Sequence, residues 1–228
     1  MLHINLETCV STQSYLKEKL QTDPPLINQD LLITTEFQEG GIGRGPNKWI
    51  HFEGAISMSC LLPTISPLTT APLQAGLLLT KFFRSHFNKE VYLKWPNDLM
   101  TKEGKKVGGI ICQLEQNKII AGIGINLFKD ESHHKMPFIC DGLNLKKENI
   151  TSSKLAADIY KYLINHFQTP FSTREWSSFC YHLNKTVKIT DEFDTELGTF
   201  TGISPNGEAI LNQNGVTKKI LTGSLFLI

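Results

Sequence analysis

Three glycine-bearing segments hold the residues best suited to chemistry. The first, Gly40-Gly41-Ile42-Gly43-Arg44-Gly45-Pro46-Asn47-Lys48-Trp49, sets one arginine among glycines that let a backbone take positive φ and approach a ligand closely. The planar guanidinium can grip a carboxylate or phosphate through two hydrogen bonds, and Trp49 offers a flat face to a ring. It is no dinucleotide fingerprint, because counting from Gly41 puts the third glycine at Pro46. No G-x-x-x-x-G-K-[ST] phosphate cradle occurs in the chain either. Taken alone, the segment is as readily a surface loop with an incidental arginine.

In the second segment, Lys94-Trp95-Pro96-Asn97-Asp98, Pro96 holds Trp95 extended and Asn-Asp then turns the chain, aiming polar groups at one place. A simple strand-end turn is the plainer account. The third is a pair, Lys106-Val107-Gly108-Gly109-Ile110 and Ala121-Gly122-Ile123-Gly124-Ile125-Asn126, which reads as antiparallel neighbours joined at 115–118. Glycine weakens a strand interior unless something must approach the backbone. Facing gaps therefore predict a ligand lying on the sheet, with a bulge or tight packing as the structural alternative.

These segments need elements to position them. Ser11 and Thr12 stand where an N-cap belongs, ahead of Tyr15, Leu16 and Leu20 at helical spacing. Strands are predicted at 30–37, 55–62, 91–95, 106–115 and 118–126. Helices are predicted at 70–87, with Pro72 in the first turn, at 153–168 and at 173–183, Trp176 and Phe179 filling core. After Asn184 the texture turns all-β, with runs near 186–190, 197–203, 208–213, 216–221 and 224–228, and turns at Pro205-Asn206-Gly207, Asn214-Gly215 and Thr222-Gly223. A segment this short closes most readily as a small barrel, so the expected division is a catalytic domain at 1–183 and a β-barrel domain at 184–228.

Composition narrows the function. In 228 residues, 23 Lys and Arg meet 22 Asp and Glu, a net charge of +1, and the C-terminal segment comes to −1 from four lysines against five acids. Such balance does not advertise nucleic acid. The cysteines Cys9, Cys60, Cys112, Cys140 and Cys180 show no C-x-x-C spacing and read as buried free thiols of a reducing cytosol. No apolar run is long enough to span a bilayer, and the opening residues lack a signal-peptide core, so a soluble cytoplasmic protein is expected. The pair His133-His134 lies in a polar stretch without ligand spacing and reads as solvated loop.

Taken together, Gly41–Trp49, Lys94–Asp98, Lys106–Ile110 and Gly122–Asn126 closely resemble the hallmarks of the biotin protein ligases: a G-x-G-R-G-x-N-x-W-type loop, K-W-P-N-D, K-[ILV]-x-G-[IV] and G-x-G-x-N, in that order. The resemblance runs from about Cys9 to the C-terminus. It implies an α+β fold, a mixed, largely antiparallel sheet with helices packed on it, plus the small β-barrel. The chain opens at the catalytic domain, so the helix-turn-helix of repressor-type members is expected to be missing.

The resemblance also implies two half-reactions. Biotin's carboxylate attacks the α-phosphorus of ATP to give biotinyl-5′-adenylate and pyrophosphate; a lysine of a biotin carboxyl carrier protein, such as that of acetyl-CoA carboxylase, then takes the acyl group and releases AMP. Bringing two anions together calls for fixed cations and Mg²⁺. Arg44 and Lys106 are the catalytic candidates. For biotin the resemblance points to Ser11, Thr12, Gln13, Gln38, Gly41, Gly43, Arg44, Lys106, Gly109 and Gly124, the neutral side chains serving the ureido ring and Gly109 and Gly124 underlying the thiophene ring and valeryl chain. For ATP and the adenylate it points to Trp49 and Asn126 near the adenine, and to Lys94, Asn97 and Asp98 at the triphosphate, Asp98 with Mg²⁺. A glycine-rich loop that is mobile when free and ordered over the reactive anhydride is expected.

Two departures stand out. Ile42 replaces a residue that is commonly Arg or Lys, and Cys112-Gln113 replaces a glutamate that follows G-I-L-V, so no role is given to Glu115. The rivals are a lipoate–protein ligase or octanoyltransferase of the same fold, and a non-catalytic biotin-binding or carrier-docking protein. A homodimer is left open.

Overall fold

Alternation along the central strands decides which side of the sheet does what. In the computed structural model, which describes residues 1–130, 132–133, 139–146 and 150–228, β1 (Leu2–Cys9), β2 (Leu31–Gln38), β5 (Ile56–Pro63), β6 (Tyr92–Lys94), β7 (Asp98–Met100), β8 (Lys106–Glu115) and β9 (Lys118–Ile125) form a seven-stranded sheet in the order β1-β2-β5-β9-β8-β7-β6. Only β1 and β2 run parallel; the other pairs are antiparallel. Odd and even residues part company: Ile56, Met58, Cys60 and Leu62 of β5, with Ile119, Ala121, Ile123 and Ile125 of β9, enter the large core. That core lies under α2 (Ala71–Phe87) and α3 (Ser152–His166). The intervening residues, Ser57 and Ser59 of β5 and Gly122 and Gly124 of β9, point to the opposite face.

That opposite face is half covered. Helix α1 (Thr12–Thr22) lies across it, with Leu16 and Leu20 packed on Leu31, Ile33, Leu61 and Ile120. Burying each leucine contributes about 1.5–3 kcal/mol, enough to hold the polar first turn of the helix at a fixed place over the sheet. Ser11 caps it, its hydroxyl accepting from Ser14 N at 3.4 Å. The glycine-rich segment is a small hairpin, β3 (Gly41–Ile42) against β4 (Lys48–Trp49), with Gly41 opposite Trp49 and Ile42 opposite Lys48.

β10 (Thr186–Thr190), β11 (Thr195–Ile203), β12 (Ala209–Gln213), β13 (Val216–Ile220) and β14 (Ser224–Leu227) form a second, antiparallel sheet in the order β13-β12-β11-β10-β14. Asn214 and Gly215, at φ 54° and 89°, make the hairpin turn that their sequence predicts. This sheet is no separate ball. Val187, Ile189, Phe200, Leu211 and Leu225 belong to the same apolar cluster as α2 and β8, and the Trp95 indole donates to the Gly207 carbonyl at 3.0 Å.

Several expectations change. The helix expected at 173–183 is α4 (Thr173–Ser178) alone, because the next residues pair with β6: Leu93 N donates to Phe179 O and Tyr181 N to Leu93 O, both at 2.9 Å. Trp176 fills core, whereas Phe179 is half-buried on its edge. Strand β1 was illegible because an amphipathic edge strand, LHINLETC, lacks an apolar run. His133 is no solvated residue: it is buried, edge-on to Phe52 at 4.2 Å between ring centres, while His134 lies outside the described residues. All five cysteines are free thiols, but only Cys60 and Cys140 are buried, the rest being half-buried.

Candidate active site

Over the second face of the large sheet lies a cavity of about 750 Å³, in the range that encloses a nucleotide-sized ligand. Its floor is made by absent side chains: Gly109 and Gly124 are direct partners across the β8–β9 ladder, and Ser57 pairs with Gly124 from the other side. One end is neutral and tied together by hydrogen bonds. The Gln38 carbonyl oxygen accepts from Thr12 N at 2.8 Å, the Thr12 and Ser59 hydroxyls stand 2.9 Å apart, and Ser59 donates to Gln13 Oε1 at 3.1 Å. Ser11, Thr12, Gln13, Gln38 and Ser59 are all buried here without a formal charge among them. Such an end suits an uncharged polar ring.

The other end is cationic. The short β7 strand brings Asp98 between two lysines: Lys106 Nζ is 2.6 Å from one carboxylate oxygen and Lys94 Nζ is 3.3 Å from the other. Arg44 reaches the same cavity from the hairpin turn, where Asn47 N and Nδ2 both donate to the Arg44 carbonyl. Burial lowers the guanidinium's pKa, and the charge of Asp98 opposes that. Three cations and one carboxylate thus converge where an anionic substrate would sit. Asn126, at the end of β9, donates to the Asp141 carbonyl at 3.1 Å; among the described residues its buried Oδ1 has no hydrogen-bond partner.

Nearly every residue singled out from sequence lines this cavity: Ser11, Thr12, Gln13, Gln38, Gly43, Arg44, Trp49, Lys94, Asn97, Asp98, Lys106, Gly109, Gly124 and Asn126. Gly41 does not. It is glycine because a Cβ there would stand 2.5 Å from Gln38 Nε2 and from the Trp49 carbonyl, so it seats the hairpin against the site. Asn97 is part structural, its Nδ2 donating to the Ile110 carbonyl at 3.0 Å. Trp49 lies over Gly124, where the indole fills the space a side chain would take, and its Nε1 donates to Ser57 Oγ at 3.2 Å. Ser57 is also 2.9 Å from Nδ1 of His51, whose pKa is lowered by burial, against the pull of Glu36.

Sequence reasoning missed Ser57 and Ser59, although two serines at alternate positions of an apolar strand were a signal of one polar-lined face. It also missed Lys48 of the hairpin, Tyr181 beyond α4, and residues 224–227 of β14, which wall the cavity from the second sheet. Only the three-dimensional packing brings that strand here. Among the described residues no group of three or more metal-ligating side chains stands together, and both oxygens of Asp98 are engaged by ammonium groups.

A family model, described as the biotin/lipoate A/B protein ligase family, matches residues 7–130, more than half of the chain. The chain belongs to that family. Among curated relatives it is 27% identical over 238 residues to the bifunctional ligase/repressor BirA of Escherichia coli, covering 95% of this chain and 71% of that protein. The BirA of Bacillus subtilis is 25% identical over 236 residues, with the same coverage. The fold matches the biotin protein ligase from Aquifex aeolicus in complex with biotin and ATP, with a TM-score of 0.75 at 25% identity over 99% of this chain and 98% of that one. It also matches the Helicobacter pylori biotin acetyl coenzyme A carboxylase synthetase with bound biotinylated ATP, with a TM-score of 0.69 at 22% identity over 95% and 98%. Within this family the cavity, its glycine floor and its cationic end form the site to be explained.

Proposed function

We propose that the chain is a biotin protein ligase. It joins biotin to AMP from ATP and passes the acyl group to a lysine of a biotin carboxyl carrier protein. In the first step a biotin carboxylate oxygen bonds to the α-phosphorus and the bond to pyrophosphate breaks. In the second, the carrier amine attacks the acyl carbon, loses a proton, and AMP departs. The observation that carries this reading is the two-ended cavity: neutral donors and acceptors from Thr12, Gln13, Gln38 and Ser59 at one end, and Lys94, Lys106 and Arg44 around Asp98 at the other. A ureido ring fits the first, and a carboxylate meeting a phosphate fits the second.

Each cation placed on the developing charge is worth about 3 kcal/mol of transition-state stabilisation, by analogy with one oxyanion donor. Lys106 and Arg44 are assigned to the reacting oxygens, and Lys94 and Asn97 to the triphosphate. Mg²⁺ enters with ATP as part of the substrate, and Asp98 becomes free to hold it when phosphate oxygens draw a lysine away. The unpartnered Oδ1 of Asn126 suits the exocyclic amine of adenine. The valeryl chain is assigned to Gly109 and Gly124, which requires the Trp49 indole to leave Gly124 and makes it available to stack on the adenine ring. Residues 1–183 carry the chemistry and 184–228 complete its wall. The free thiols agree with a cytoplasmic setting, and no helix among the described residues is long and apolar enough to cross a membrane.

The test is ATP-dependent pyrophosphate release with biotin, with lipoate and with neither, followed by transfer to a purified carrier domain. Release and transfer with biotin alone are expected. Turnover with lipoate in place of biotin would refute the substrate assignment, and biotin binding without pyrophosphate would refute catalysis.

A further inference from the structure

The hairpin's arginine is fastened to the second sheet. Arg44 Nη2 donates to the Gly223 carbonyl at 2.5 Å and to the Ser224 hydroxyl at 3.2 Å, across a sequence gap of 179 to 180 residues. Ser224 opens β14 and is paired with Thr190 of β10, so its hydroxyl is carried by a ladder and not by a free loop. Gly223 adopts φ +139°, a conformation an L side chain rarely takes, and a Cβ there would stand 2.6 Å from Ile189 Cγ2, so the turn that carries this carbonyl requires glycine. Ser224 itself lines the cavity, as does Arg44.

The chemistry of the contact is informative. Both acceptors are neutral, so they orient the guanidinium without cancelling the charge that an anionic substrate needs. A guanidinium holds five N–H donors in one plane, and these two contacts use a single nitrogen. Nε and Nη1 stay available for a carboxylate or phosphate while Nη2 remains fastened. A substrate therefore need not unfasten the arginine in order to be gripped by it.

We propose that Ser224, with the Gly223 carbonyl, is a positioning residue for Arg44, and that the second sheet acts through it as a catch that holds the hairpin closed over the acyl-adenylate. This rests on the role proposed for Arg44 and adds the element that holds it. The hydroxyl touches no reacting atom, so it acts on the formation and on the retention of the intermediate only through Arg44.

The measurement is the escape of radiolabelled biotinyl-adenylate from isolated enzyme into a hydroxylamine trap, alongside kcat and KM for pyrophosphate release. Wild type, Ser224→Ala, Ser224→Thr, Arg44→Gly and the Arg44→Gly/Ser224→Ala double variant are compared. Ser224→Ala is expected to speed escape about 10-fold, the size of one hydrogen bond to a charged group, and to lower kcat for pyrophosphate release by less than Arg44→Gly does, since the guanidinium is loosened but still present. Ser224→Thr keeps the hydroxyl and should retain adenylate like wild type. In the Arg44→Gly background, removing the hydroxyl should add nothing. A fast-leaking Arg44→Gly with a tight Ser224→Ala, or two effects that simply multiply, would overturn the catch alone. An Arg44→Gly variant as tight as wild type would overturn the assigned role of Arg44, and the catch with it.

Discussion

Lys106 Nζ lies 2.6 Å from Asp98 Oδ1, a contact made across the β7–β8 ladder at the floor of the cavity. The pair keeps an ammonium group aimed at the glycine floor while no anion is bound, and Asp98 holds Lys94 in the same way. Removing the Lys106 amine should therefore cost chemistry and not folding. Lys106→Ala is expected to lower biotin-dependent pyrophosphate release by about 100-fold, the size of one lost transition-state contact. An unshifted melting temperature should accompany the loss; release at the wild-type rate would make Lys106 a bystander.

Gly124 and the indole of Trp49 share one space. A Cβ at Gly124 would collide with the indole ring, so Gly124→Ala is expected to expel it into solvent. Because Trp95 and Trp176 are each 1% exposed, a red shift in tryptophan emission would come from Trp49. Wild-type enzyme should instead show quenched tryptophan emission when biotin and ATP are added together, as the indole leaves Gly124 to stack on adenine. An emission spectrum untouched by both treatments would argue that the indole stays where it is.

Ile42 faces Lys48 across the hairpin, and both line the cavity. Directly opposed strand residues sit close enough for Lys48 to supply the charge that position 42 lacks. Lys48→Ala should raise KM for ATP by about 2- to 5-fold at low salt, the scale of an exposed charge contact, and the difference should shrink as ionic strength rises. Salt-independent kinetics in the variant would dismiss this role.

His182 has no exposed surface; burial, and then the charges of Lys94 and Lys185, lower its pKa from 6.5 to about 3. The folded state keeps the ring neutral while the unfolded chain binds a proton below pH 6.5. Stability is therefore complete above that value and falls as acid is added towards pH 3, by at most about 1.4 kcal/mol per pH unit. Denaturant midpoints measured between pH 7 and 4.5 should drop, and His182→Phe should flatten the slope. An equal slope in that variant would place the acid sensitivity elsewhere.

Much of this site was legible because its residues sit in short, local patterns. Lys94–Asp98 and the strands carrying Gly109 and Gly124 announced themselves through turn chemistry and through glycine where strands disfavour it. Ser11 was legible twice over, as a helix cap and as a lining residue. What stayed hidden depends on long-range partners. Gly41 and Gly122 look like ligand gaps but make room for neighbours: a Cβ at Gly122 would stand 2.5 Å from Gln13 Oε1. Ser224 carries no local signal, since its importance arises from where β14 docks. Strand β1 escaped notice because edge strands need not be apolar.

The apolar cluster that runs unbroken from α2 through β8 into Val187, Phe200 and Leu225 bears on how the molecule can be dissected. Cutting between residues 183 and 184 would bare hydrocarbon on both fragments, so a truncated enzyme would report its own collapse before anything about turnover. Both sheets should melt in a single step, and the contribution of the smaller one is better read from point substitutions than from its deletion.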